Sequence, residues 1–177
     1  MTFAKPNKSP VKLTPLSDLI RKRNGALRPP SSLKTLHDFT IPTDYQRFLH
    51  EHDGSDGMDS AGWCFWGWSE LRSITTLATE DDGHSLPPEC HDPENYILFA
   101  DHLIHAGFLC FRVHRPASDT PVYYYFGFGA LYPLARDWFD LHYAIEHENQ
   151  ESPFFDSLHQ RCLAGTSFMP PPPPSIL

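Results

Sequence analysis

No apolar run in this sequence approaches the ~20 residues that a membrane-spanning helix requires. The N-terminus is basic, but it has neither an apolar stretch nor a small-residue cleavage site of the secretory type. Neither a membrane span nor a leader is therefore expected, and the cytoplasm is the expected compartment. A glycine-rich phosphate loop, a nucleophile elbow and helix-borne paired carboxylates are all lacking, which argues against the chemistries they serve. The four cysteines, Cys64, Cys90, Cys110 and Cys162, are widely spaced and form no Cys-x-x-Cys pair. With no other sign of an extracellular setting, they are expected to be reduced, structural thiols. Basic residues are scarce beyond position 34. Residues 1–34 hold eight of them against Asp18 alone, a balance of +7, while the remainder holds six basic and twenty-one acidic side chains, a balance of −15. An acidic body repels nucleic acid and attracts basic proteins.

What is present is a core. Hydrophobic residues make up 40% of the chain and aromatics 14%, enough to support packing rather than wholesale disorder. Residues 41–71 organise the rest. Pro42 suits the start of a helix. Tyr45, Phe48, Leu49 and His52 then follow at helical spacing on one face, and Asp53-Gly54 supplies a stop. Beyond an acidic loop, residues 63–68 form an aromatic run with an internal glycine, predicted to be a strand that bends at Gly67.

On the N-terminal side, Thr14-Pro15, Leu16, Leu19, Ile20 and Asn24-Gly25 predict a short capped helix, and residues 28–32 a linker. Glu70-Leu71 is expected to open a helix or turn, with a polar, acidic loop over residues 79–93. Residues 96–101, 108–114, 121–126 and 131–134 read as strands of an antiparallel meander. The second of these is apolar on both sides and therefore central, with Arg112 at an edge or paired to a carboxylate. Asp137 is placed to cap a helix burying Trp138, Leu141 and Ile145. Ser152-Pro153 opens another helix, carrying Phe154, Phe155, Leu158 and Cys162, and prolines 170–174 begin a disordered tail.

Several of these segments resemble the SUKH superfamily of SMI/KNR-type domains, whose bacterial members are largely immunity proteins against polymorphic toxins. The resemblance rests on Ile41-Pro42, Tyr45, Phe48-Leu49 and Gly54, then Phe65-Trp66 with Glu70-Leu71. It continues through residues 96–101, 108–113, 122–125 and 137–145, and so covers roughly 33–148. Two segments depart from the family pattern: residues 31–39 are short and weakly patterned, and residues 79–93 are long. The resemblance implies a single α+β domain with a twisted, mostly antiparallel sheet of about five or six strands flanked by helices. On this division residues 1–32 are a basic, proline-containing arm with one short helix, 33–165 the SUKH-like domain and 166–177 a proline-rich tail.

Residues bearing chemistry were weighed individually. Asp53, Asp56 and Asp59 alternate with glycines but lack the closing glutamate of a calcium loop, so a solvated turn is expected. His102 and His105, near Asp101 and Cys110, and the Cys90-His91 pair lack zinc-ligand spacing. No cofactor, metal or catalytic residue is assigned. The resemblance implies a non-enzymatic protein that neutralises a toxin, a nuclease among the candidates, by direct association. Nucleic acid and membrane are not expected partners. Candidate contacts are Asp53, Asp56, Asp59, Glu80, Asp81 and Asp82, with Trp63 and Trp68 as aromatic anchors. The alternatives are a regulatory or scaffold protein of the same superfamily binding an endogenous partner, and a metal-dependent enzyme.

Overall fold

A computed structural model describes residues 12–31, 39–81, 83–88, 90–113, 120–127, 129–135 and 137–147. Four helices, α1 (Leu16–Lys22), α2 (Thr43–Glu51), α3 (Ile74–Glu80) and α4 (Trp138–His147), accompany eight strands. These are β1 (Ala26–Leu27), β2 (Ser55–Asp56), β3 (Trp63–Phe65), β4 (Arg72–Ser73), β5 (Tyr96–His102), β6 (Gly107–Arg112), β7 (Val122–Phe126) and β8 (Ala130–Ala135). The main sheet runs β3-β5-β6-β7-β8, with β4 pairing the other end of β5, and β1-β2 form a separate ribbon. All pairings are antiparallel, as the meander pattern predicts. The chain is an α+β single domain.

Strand β6 is central, and every residue from Gly107 to Phe111 is buried. Its register sorts the side chains onto two faces. Phe108 and Cys110 lie opposite Tyr125 and Tyr123, while Leu109 and Phe111 lie opposite Tyr124 and Val122. Phe111 meets the helical layer: Phe99 stacks on it at 3.9 Å, and Tyr45 of α2 and Trp138 of α4 approach both rings. On the Phe108 face lie Trp66 and His84. Burying each such side chain contributes roughly 1.5–3 kcal/mol.

The register of β5 against β6 slips between Leu98 and Ala100, leaving Phe99 as the extra residue of a bulge. Its carbonyl accepts from the Trp66 amide at 2.8 Å and from the Tyr45 hydroxyl at 2.9 Å. The same hydroxyl lies 2.8 Å from the Trp66 carbonyl. The periodic face of α2 is thereby pinned to the sheet at the bulge.

Several local expectations are corrected. Strand β3 ends at Phe65, because after the Trp66 amide binds Phe99 the chain turns away. Thr14 does not cap α1. Pro15 takes the cap position without a side-chain bond, and Thr14 binds Glu146 of α4 instead. Leu16, Leu19 and Ile20 are buried, and β1 pairs with β2, so α1 packs into the domain core rather than standing apart as an arm. After the turn at 68–70, helix α3 begins at Ile74, capped by the Ser73 hydroxyl on the Thr76 amide at 3.1 Å. Arg112 pairs with Asp92 at 3.0 Å, and Asp137 caps α4 through the Asp140 amide at 2.9 Å. The helix expected after Ser152 and the proline run lie outside the described residues.

Removing the Tyr45 hydroxyl takes away the side-chain donor within reach of both the Trp66 and Phe99 carbonyls in the buried core. Tyr45→Phe should therefore lower stability by about 1–3 kcal/mol, read as a fall in urea midpoint at unchanged slope.

Candidate functional site

The acidic segment between α2 and β3 divides into an outer and an inner part. At its start Gly54 has φ +81°, and a Cβ there would stand 2.6 Å from both the Phe65 carbonyl and the Gly67 amide. Glycine is thus required for the close return of the chain. Asp53 is half-buried, and its carboxylate accepts from the Trp68 amide at 2.8 Å. Trp68 is also only partly buried, with the His50 ring 5.7 Å away. Beneath them Glu70 accepts from the Gly67 amide at 2.7 Å and is bonded by Arg28. Asp56 is exposed on β2. Asp53, Asp56 and Trp68 thus project around one return of the chain.

Asp59 and Trp63 are different. Asp59 is 7% exposed; one carboxylate oxygen accepts from the Ala61 and Trp63 amides at 2.9 and 3.0 Å, and the other lies 3.9 Å from Arg23. This end of the loop is not the solvated turn that its Asp-Gly composition suggests. Burial pushes the Asp59 carboxyl above the usual carboxylate range, against the opposing pull of those amides and Arg23. Trp63 is fully buried, stacked at 4.1 Å on His102. Both side chains serve the interior.

Glu80 and Asp81 are exposed at the end of α3, with Glu80 2.8 Å from Arg72 and Asp81 3.1 Å from His84. Asp82 lies outside the described residues. Arg28, His50 and Glu70 were not nominated from sequence. Only the Glu-Leu pair at 70–71 hinted at one of them.

Among the described histidines, His84 and His105 approach each other, with ring centroids 6.4 Å apart. His102 lies 3.3 Å from the Tyr124 hydroxyl, while His105 lies 3.4 Å from Asp101. Among the described residues, no group of three or more His, Cys, Asp or Glu side chains is arranged to hold a metal ion. Cys64, Cys90 and Cys110 are free thiols, and burial raises Cys64 and Cys110 away from the thiolate form.

Two predictions follow from these placements. Asp59→Ala should cost roughly 2–4 kcal/mol, since it removes charge-assisted bonds to two amides, whereas Asp56→Ala should stay within about 0.5 kcal/mol; urea unfolding compares them. Asp101 is likewise held above its usual range by burial, against the His105 amide and the imidazoles of His105 and His84. Its ionised form is therefore disfavoured in the fold, and that penalty is relieved as pH falls through the folded pKa. Asp101→Asn should be more stable than wild type at pH 7, with the gap closing toward about pH 4, as thermal melts across that range would read.

No helix among the described residues is long and apolar enough to cross a membrane. No curated protein and no solved structure matches the chain. The family model described as SMI1 / KNR4 family (SUKH-1) matches residues 31–143, more than half of the 177 residues, and the match spans α2, the whole main sheet and the start of α4. Such a match supports an immunity or regulatory domain in general terms. With a family model matched over that span, the chain belongs to the SMI1 / KNR4 family (SUKH-1).

Proposed function

We propose that this chain is a non-enzymatic immunity protein of the cytoplasm that neutralises a basic toxin domain, of nuclease type, by direct association. The observation that carries the reading is the set of exposed carboxylates, Asp56, Glu80 and Asp81, on a family-defined scaffold. Half-buried Asp53 and Trp68 lie at the return at Gly54, where Arg28 is taken up by Glu70. A nuclease must present a basic surface to hold phosphates. Carboxylates on the loops and helix end beside the sheet compete for that surface, and their field speeds encounter. A half-buried tryptophan supplies the short-range contact that slows dissociation. No covalent step is needed, because occlusion suffices.

The alternative is a regulatory scaffold that contacts an endogenous partner through the two ends of the chain, and truncation separates the two readings. Since α1 packs into the core, the cut must fall before it. Deleting residues 1–11 and 166–177 should leave toxin neutralisation intact, whereas a scaffold acting through its ends would lose its partner.

The direct test is stopped-flow association with a purified, catalytically inactivated nuclease toxin domain, taken from the neighbouring reading frame where that frame encodes one. Asp56→Lys combined with Asp81→Lys should slow association up to about tenfold at low salt. The difference should vanish near 1 M salt, where screening acts within about 3 Å. Trp68→Ala should raise the dissociation rate by roughly 30-fold or more. Unchanged kinetics in both variants would remove this surface from the mechanism, and failure of the wild-type chain to bind would remove the immunity reading itself.

A further inference from the structure

The β5–β6 hairpin turns through three successive non-glycine residues in the left-handed region: Leu103 at φ +50°, Ile104 at +55° and His105 at +65°. Left-handed backbone is disfavoured for any L-residue bearing a Cβ, and most of all for a β-branched one such as isoleucine. Burial does not compensate for it here. Ile104 is 80% exposed and Leu103 56%. Glycine or asparagine would adopt this turn more readily, so folding stability alone does not account for an isoleucine at its tip.

The turn is nonetheless firmly held. The buried Asp101 carboxylate accepts from the His105 amide at 2.7 Å, and the Ala106 amide donates to the His102 carbonyl at 3.1 Å. The Leu103 amide donates to the Gly62 carbonyl at 3.0 Å, and the Leu103 side chain lies so close over Gly62 that a Cβ there would stand 2.6 Å from it. A third exposed apolar residue lies at the same end of the sheet. Leu86 is 47% exposed, its neighbour Ser85 donates from its amide to the Gly127 carbonyl at 3.1 Å, and a Cβ on Gly127 would come 3.8 Å from the His105 carbonyl. Three of the four large hydrophobic side chains exposed among the described residues therefore gather at one end of the sheet.

Exposed carboxylates lie near this end: Asp81 sits 3.1 Å from His84, whose ring is 6.4 Å from that of His105, and the loop that begins at exposed Asp56 ends at Gly62, directly beneath Leu103. The acidic surface and the apolar tip are thus two ends of one loop.

The geometry points to the Leu103–Ile104 tip as the apolar anchor of the toxin interface, inserting into a hydrophobic pocket that is rimmed by lysine or arginine on the partner. This rests on the reading of the chain as an immunity protein with an acidic docking surface. Carboxylates flanking the tip would meet the basic rim, while Ile104, already held proud in one conformation, enters with little further ordering. Anchors of this kind, preorganised and ringed by polar contacts, carry most of an interface's affinity.

The experiment measures binding of the full chain and its variants to the purified, inactivated toxin domain, alongside melting temperature and sedimentation of the free chain. Ile104→Gly removes the side chain and relieves the backbone. It should leave the melting temperature unchanged or raised while weakening binding by at least about 30-fold through the dissociation rate. Phe139→Ser, which removes the fourth exposed hydrophobic residue, on α4, should bind as wild type does. If the wild-type chain binds and Ile104→Gly binds within about threefold of it, the tip is not the anchor, while the acidic-surface reading stands. If the wild-type chain does not bind, both fail. A free chain that sediments as a dimer and is dispersed by Ile104→Gly would assign the tip to a second copy of this chain and overturn the proposal.

Discussion

The Tyr45 hydroxyl is the point on which the domain depends. It is a single polar atom in a fully buried aromatic cluster, and it lies within hydrogen-bonding distance of the carbonyls of Trp66 and Phe99. Phe99 is the extra residue of the β5 bulge, so its ring stacks on Phe111 while its carbonyl serves both Trp66 and Tyr45. Three distant parts of the chain are thereby held in one register. A buried polar group leaves few alternative arrangements in which its partners are all satisfied, and so it specifies a unique packing where apolar contacts alone would tolerate slippage. Burial drives the hydroxyl far from ionisation, which keeps it a donor.

With the aromatics committed to that interior, the surface is left chiefly to charge. Beyond Lys34 every basic residue is an arginine, and those in the described part are engaged with carboxylates: Arg47 with Asp44, Arg72 with Glu80 and Arg112 with Asp92. The remaining carboxylates give the body its negative field. Such exposed pairs add little to stability; the summed field is what a charged macromolecule senses at a distance.

Much of this was legible in the sequence. The 3.6-residue period of Tyr45, Phe48 and Leu49 and the two-sided apolar character of residues 108–113 are burial patterns, and burial decides both. The same holds for Asp137 as a cap, which needs only a local bond. What could not be read were properties set by tertiary partners. Asp56 and Asp59 look alike in a glycine-rich acidic loop, yet one is solvated and the other is buried beside Arg23, because the difference lies in the amides that fold back onto Asp59. Trp63 and Trp68 look alike for the same reason, and only strand pairing with β5 sends the first inward. Helix α1 read as part of a separate arm because its charge differs from that of the body, although its apolar face follows the ordinary period. Nor does the Leu-Ile-His turn announce a left-handed backbone, since its φ values are imposed by Asp101 and Gly62 from outside the segment.

The two buried carboxylates whose ionised form the fold disfavours sit at the bases of two exposed loops. Asp59 binds the amides at the end of the 56–62 loop, and Asp101 binds the amide of His105 in the β5–β6 turn. Both are shifted toward protonation by burial, so at neutral pH each charge opposes folding. In return each holds a solvent-exposed loop in one conformation, one glycine-bearing and the other turning through non-glycine residues of positive φ. A loop already ordered loses less entropy when a partner covers it, and for interfaces of equal area that saving separates weak from tight binding. The ionised carboxylates at the loop bases thus meet a burial penalty at neutral pH while fixing the surface loops above them.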